Sequence, residues 1–144
     1  MLKKLLNWAL KKKASDEGLT LIELLAVIVI LAIIAAIAIP IILVSVNNAK
    51  INTTEQDLNI IADALNRYYL DHGSYPTQAS GNISGVLSAL SPQYLAGIPQ
   101  DGWGNPFNYS SSGTNYTVST SAQENSLYYY VSNSSSVTYA STAP

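Results

Sequence analysis

Cysteine is missing from this 144-residue chain, and histidine occurs once. Without cysteine there can be no disulfide, no thiolate metal site and no cysteine nucleophile, although the compartment stays open. The sole histidine, His72, stands next to Asp71, and adjacent residues do not face each other on a helix. Serines abound, but no nucleophile, base and orienting group can be named as a set, so the chain does not read as an enzyme. His72 is instead a cation for a helix C-terminus or a solvated side chain. Charge is scarce too: 11% of residues are charged, against about 25% in ordinary soluble domains.

The charges that exist are segregated. Residues 1–18 hold five lysines (Lys3, Lys4, Lys11, Lys12, Lys13) against Asp16 and Glu17, a net +3. Residues 19–144 hold only Lys50 and Arg67 against seven acids, a net −5. Phosphate binding needs basic surface that this second part lacks, so no nucleic-acid partner is expected. The lysine cluster fits a cytoplasmic flank under the positive-inside rule.

What is abundant is oil. No charge occurs from Leu24 to Val46. As a helix rising about 1.5 Å per residue, that run reaches roughly 35 Å, enough for a hydrocarbon layer of about 30 Å. A cleaved secretion signal competes, with Ala36-Ile37-Ala38 as its small-x-small site. The apolar run continues past that site, however, and it is headed by Glu23. A carboxylate near hydrocarbon costs up to about 3 kcal/mol at mid-membrane, so it calls for a cationic partner. Residues 14–49 contain no Lys or Arg. The partner must come from another chain, or from an α-amine created by cutting this one.

The stretch EGLTLIELLAVIVILAIIAAIAIP resembles the N-terminus of type IV pilins and type II secretion pseudopilins. The resemblance implies that a prepilin peptidase cuts after Gly18, that Leu19 becomes the methylated N-terminus, and that Glu23 neutralises the terminal amine of a neighbouring subunit. Pro40 matches the proline that ends the family's first helical stretch, and a kink or local melting is expected near residues 36–40. Leu19 departs from the family's usual Phe, and the 18-residue leader is longer than those of the commonest subgroup. The implied partners are further copies of the chain, the peptidase, an inner-membrane assembly platform and the membrane itself.

Beyond Asn47-Asn48, apolar residues recur at helical spacing: Ile51, Thr54, Leu58, Ile61, Ala62, Leu65 and Tyr69, with Glu55, Asp57, Asp63 and Arg67 mostly opposite. Gly73 and Pro76 end the helix. A loop follows, with Leu87, Leu90 and Leu95 available to tuck inward. Three strands are then expected at Pro106–Ser110, Tyr116–Thr120 and Leu127–Ser132. The fold class is α+β: a long N-terminal helix packed on a small antiparallel three-stranded sheet. The expected segments are a leader (1–18), a transmembrane or filament-core helix (19–46), an amphipathic half (47–73) and a globular region (74–144).

YLAGIPQDGWGNPFNY is similar to the segment leading into the sheet of major pseudopilins, with Trp103 as a buried structural anchor. That resemblance also implies a calcium loop near the end of the sheet. Calcium wants six to eight oxygens, and only Glu124 and Asn125 stand out there, so the site is weak and no cofactor is assigned. Asn52, Asn82, Asn108, Asn115 and Asn133 open Asn-x-Ser/Thr sequons, which arise by chance in so Asn- and Ser-rich a chain. Tyr128-Tyr129-Tyr130 should alternate faces of a strand.

The leading functional reading is a pilin: held in the membrane with its N-terminus cytoplasmic, then polymerised into an extracellular pilus-like filament. DGWGNPF pulls toward the alternative, a major pseudopilin of type II secretion. A membrane-tethered or secreted binding domain without a polymer is the reading from another class.

Overall fold

The computed structural model describes residues 20–97, 99–124, 126–133 and 136–144. Gly18, Leu19 and Asn125 lie outside the described residues. The chain divides into two units, residues 1–44 and residues 45–144.

Helix α1 runs from Leu21 to His72 and carries Pro40 inside it. Residues 36–40 are helical throughout, so the local melting expected there does not occur. Proline's fixed φ is itself helical, and long runs of helix on both sides keep the missing donor a local defect. In the first unit nearly every large side chain from Leu21 onward is about half exposed or more, so none of the described residues covers this apolar helix.

The second unit contains the core. Along α1, Thr54, Leu58, Ile61, Ala62, Ala64 and Leu65 are buried, close to the stripe that the periodicity predicts. Tyr69 departs from it. Its side chain is 39% exposed and stacks on Tyr75 at 4.7 Å, while Tyr68 packs partly against the core. Tyr69 lies in the last turn, where a single ring covers it. The helix stops at Gly73, which takes φ +73° and donates its N–H to the Tyr69 carbonyl at 2.8 Å. That left-handed residue is the C′ position where glycine costs least.

The sheet has five strands rather than three, in the order β1-β2-β3-β4-β5, every neighbour antiparallel. Strands β2 (Phe107–Ser111), β3 (Tyr116–Thr120) and β4 (Tyr128–Ser132) are the three that the sequence predicts. The added strands are β1 (Gln78–Asn82) and β5 (Thr138–Ala140). Neither announces itself. β1 reads QASGN, without a β-branched or aromatic residue and with an irregular register, and β5 is three residues long. Both are edges, held by the ladder of a stronger neighbour.

Alternation sorts the side chains. Phe107, Tyr109, Tyr116, Val118, Tyr129 and Val131 are buried, while Asn108, Ser110, Thr117, Tyr128 and Tyr130 are exposed or half-buried. Between β1 and β2, a 3-10 turn (Ile83–Val86) and a one-turn helix α2 (Leu87–Leu90) bury Ile83, Val86 and Leu90, and Leu95 follows. Each such aliphatic contributes about 1.5–3 kcal/mol by leaving water. The Tyr109 hydroxyl, pushed above the ordinary tyrosine range mainly by burial, donates to the Pro76 carbonyl at 2.7 Å.

Candidate functional site

Two places on α1 carry the residues that the sequence singles out. The first is its N-terminus. Thr20 is the cap residue: its carbonyl accepts from the N–H groups of Glu23 at 2.8 Å and Leu24 at 3.2 Å. Its own N–H and its hydroxyl donate to Glu23 Oε2 at 2.8 and 2.9 Å. This is a capping box, in which the third helical residue reaches back to the cap. The T-x-x-E spacing of Thr20 and Glu23 is the sequence signal of this box. Glu23 therefore has neutral donors within its own chain, at the helix end where a negative charge is favoured. No cation reaches it among the described residues.

From Leu24 to Val46 the helix offers only uncharged side chains, and it is long and apolar enough to cross a membrane.

The second place lies in the other unit, where DGWGNPF meets α1. Asp101, 4% exposed, organises the turn. Its Oδ1 accepts from the N–H groups of Trp103 at 3.0 Å and Asn105 at 2.7 Å, and Oδ2 accepts from Asn105 Nδ2 at 3.2 Å. The Asn105 amide also donates to Glu124 Oε1 at 3.3 Å, tying the β3–β4 hairpin to the turn. Gly102 donates its N–H to Thr54 Oγ1 at 2.9 Å, and that hydroxyl donates to the Lys50 carbonyl at 2.9 Å. A Cβ on Gly102 would stand 2.6 Å from the Lys50 Cα and 2.7 Å from its carbonyl carbon. Only glycine permits so close an approach of loop to helix backbone.

Trp103 is not the buried anchor expected. It is half-buried, with Lys50 Nζ 5.6 Å from the ring centroid in a cation–π contact. The anchor is the small residue before it. The Thr54 hydroxyl, the bare Gly102 and the Asn105 amide leave no periodic signal, because they act on residues 48 or 19 positions away.

Glu124, 6% exposed, is turned inward. Burial pushes its carboxyl above the usual carboxylate range, and the charge of Asp101 adds to this. The Asn105 bond and the more distant Lys50 act the other way. These residues fit a calcium ion poorly. Asp101 and Glu124 already share an amide donor, and no group of three or more His, Asp or Glu side chains forms among the described residues.

Comparison with known proteins then assigns the chain. Residues 13–39 match the prokaryotic N-terminal methylation motif, and residues 41–126 match the family described as type II secretion system protein G. The chain belongs to the protein G family. It is 36% identical over 112 residues to the type II secretion system core protein G of Pseudomonas aeruginosa, covering 72% of this chain and 79% of that protein. The corresponding protein of Vibrio cholerae is 32% identical over 117 residues, covering 76% and 80%. That of Aeromonas hydrophila is 32% identical over 111 residues, covering 71% and 78%. No solved structure matches the chain significantly. The protein G match takes in the whole turn-and-helix contact, and the methylation match takes in Glu23 and its cap.

Two consequences can be measured. Gly102→Ala should cost about 1–3 kcal/mol, because backbone must move to admit the methyl group. Thermal unfolding checks this, with Gly97→Ala, which meets open space, as a near-neutral control. Glu124 titrates above its unfolded value, so its stabilising effect is present at low pH and is lost as pH rises through the folded value. Glu124→Gln should therefore melt higher than the parent at pH 7, and the difference should close below about pH 4, where glutamate is protonated in both states.

Proposed function

We propose that this chain is a polymerising subunit of the pseudopilus of a type II secretion system. It is made as a precursor, cut after Gly18 and methylated on Leu19, with residues 1–18 as the discarded leader. The observation that carries the reading is one carboxylate, Glu23, at the head of an uncharged helix with no cation in reach among the described residues. The new amine of Leu19 on a neighbouring copy supplies that cation. Before assembly the helix lies in a membrane, entered from the lysine-rich side; afterwards the same surface packs against identical helices. A filament is a suitable second environment because every copy brings the same apolar surface.

Of the two filament types weighed from the sequence, the named relatives favour the secretion pseudopilus over the surface pilus. The partners that follow are other copies, a prepilin peptidase and an inner-membrane platform. Domain limits at 18, 46 and 73 suit this life cycle, and Pro40 remains a candidate kink within the packed helices.

Glu23 does not meet its partner from an empty start. The capping box already gives it two donors, so the incoming amine exchanges neutral hydrogen bonds for a charge-assisted one.

The intact mass and N-terminal sequence of the mature protein test the processing. A chain starting at Leu19 with one added methyl group is expected, and a start at Met1 or Ile39 would sink the reading. Glu23→Ala tests assembly: membrane insertion and processing should persist while the sedimentable filament fraction falls at least tenfold.

A further inference from the structure

Between Leu19 and the end of the chain there are two basic side chains, and the fold uses only one of them. Lys50 is half-buried and lies over Trp103. Arg67 is exposed, in the last two turns of α1, and forms no ion pair among the described residues. It does not stand alone there. At 100° per residue, Gln56, Ile60, Asp63, Arg67 and Leu70 fall within about 80° of one another, on the side away from Leu58, Ile61 and Leu65. All five are exposed, and two are large and apolar: Ile60 at 50% and Leu70 at 81%. The stripe thus combines an unused guanidinium with aliphatic side chains on a helix that buries its opposite face well.

We propose that this stripe is a contact surface for a second copy of the chain, in which Arg67 pairs with a carboxylate of that copy. The inference rests on the polymer reading above and extends it from the N-terminal helix to the second unit. Charge identifies the occupant. Residues 19–144 carry net −5, so copies crowded side by side repel unless their few cations are placed between them. Seven acids face two bases, and Arg67 is the basic group still available to a neighbour. Carboxylates to receive it exist on every copy: Asp63 is exposed, and Glu55 and Asp57 are half-exposed. Arginine suits the task, since its planar fork bonds a carboxylate through two parallel N–H groups and sheds water more readily than an ammonium. Ile60 and Leu70 flank the charge along the helix and would shield the pair from solvent.

The full-length precursor, expressed with its assembly machinery, provides the test. The readout is the fraction sedimenting as filament after shearing. Arg67→Glu is expected to lower that fraction at least tenfold and Arg67→Lys by less, because the charge is kept and the fork is lost. The melting temperature of the unassembled protein should stay put for Arg67→Lys and fall only slightly for Arg67→Glu, which adds repulsion with Asp63 and Asp71 one helical turn away. Leu70→Ser, at a side chain that contributes little to the core, should also reduce the yield. Parental yield with either Arg67→Glu or Leu70→Ser overturns the proposal. Glu23→Ala is run alongside: if it too assembles normally, the polymer reading itself is wrong, whereas its failure beside a normal Arg67→Glu overturns the stripe alone.

Discussion

A helix that is apolar on every side cannot be left in water, and this chain devotes more than twenty consecutive residues to one. Hydrophobic burial at about 25 cal/mol per Å² makes exposure of such a surface untenable. Everything else follows from the need to cover it. In the life cycle proposed above, lipid covers it in one setting and identical helices in another, and neither tolerates a stray charge. Glu23 is accepted because it sits at the rim, where the capping box and the helix end favour its charge. The scarcity of basic residues after Leu19 has the same origin in part: any cation in the helix would be as costly as the acid.

The two units solve different problems. In the described part of residues 1–44 the large apolar side chains are about half exposed or more, and helix is the backbone's way of satisfying itself without water. In residues 45–144 the helix has a wet side and a dry side, and the dry side is filled by aromatic and branched residues from β2, β3 and β4. Tyr116 shows how tightly that core is closed. Its hydroxyl is buried without a hydrogen-bond partner among the described residues, and burial pushes it up to about 12.

The parts visible in the sequence were those governed by periodicity over many residues. The long helix, its stop at Gly73, the three central strands and the alternation of Tyr128, Tyr129 and Tyr130 declare themselves through spacing and turn residues. The edge strands did not, because Gln78–Asn82 has no β-branched or aromatic residue and Thr138–Ala140 is only three residues long. The motif around Trp103 was recognised, but its physics was assigned to the wrong residue. A large ring draws the eye, whereas the contact is made by Gly102, which acts by what it lacks. Likewise the sequence leaves Glu124 in a polar hairpin with no more than a weak case as a ligand, and the fold turns it inward to hold Asn105.

The Gly102 contact has a mechanical side. Hydrogen bonds and close packing join loop to helix at Lys50 and Thr54, within the first turns of the second unit. A side-chain contact yields under load by changing rotamer, but two backbones in direct touch cannot. Load applied to the helix within residues 45–144 therefore meets a stiff joint in its first turns, where the missing methyl group of one glycine lets loop and helix backbones touch.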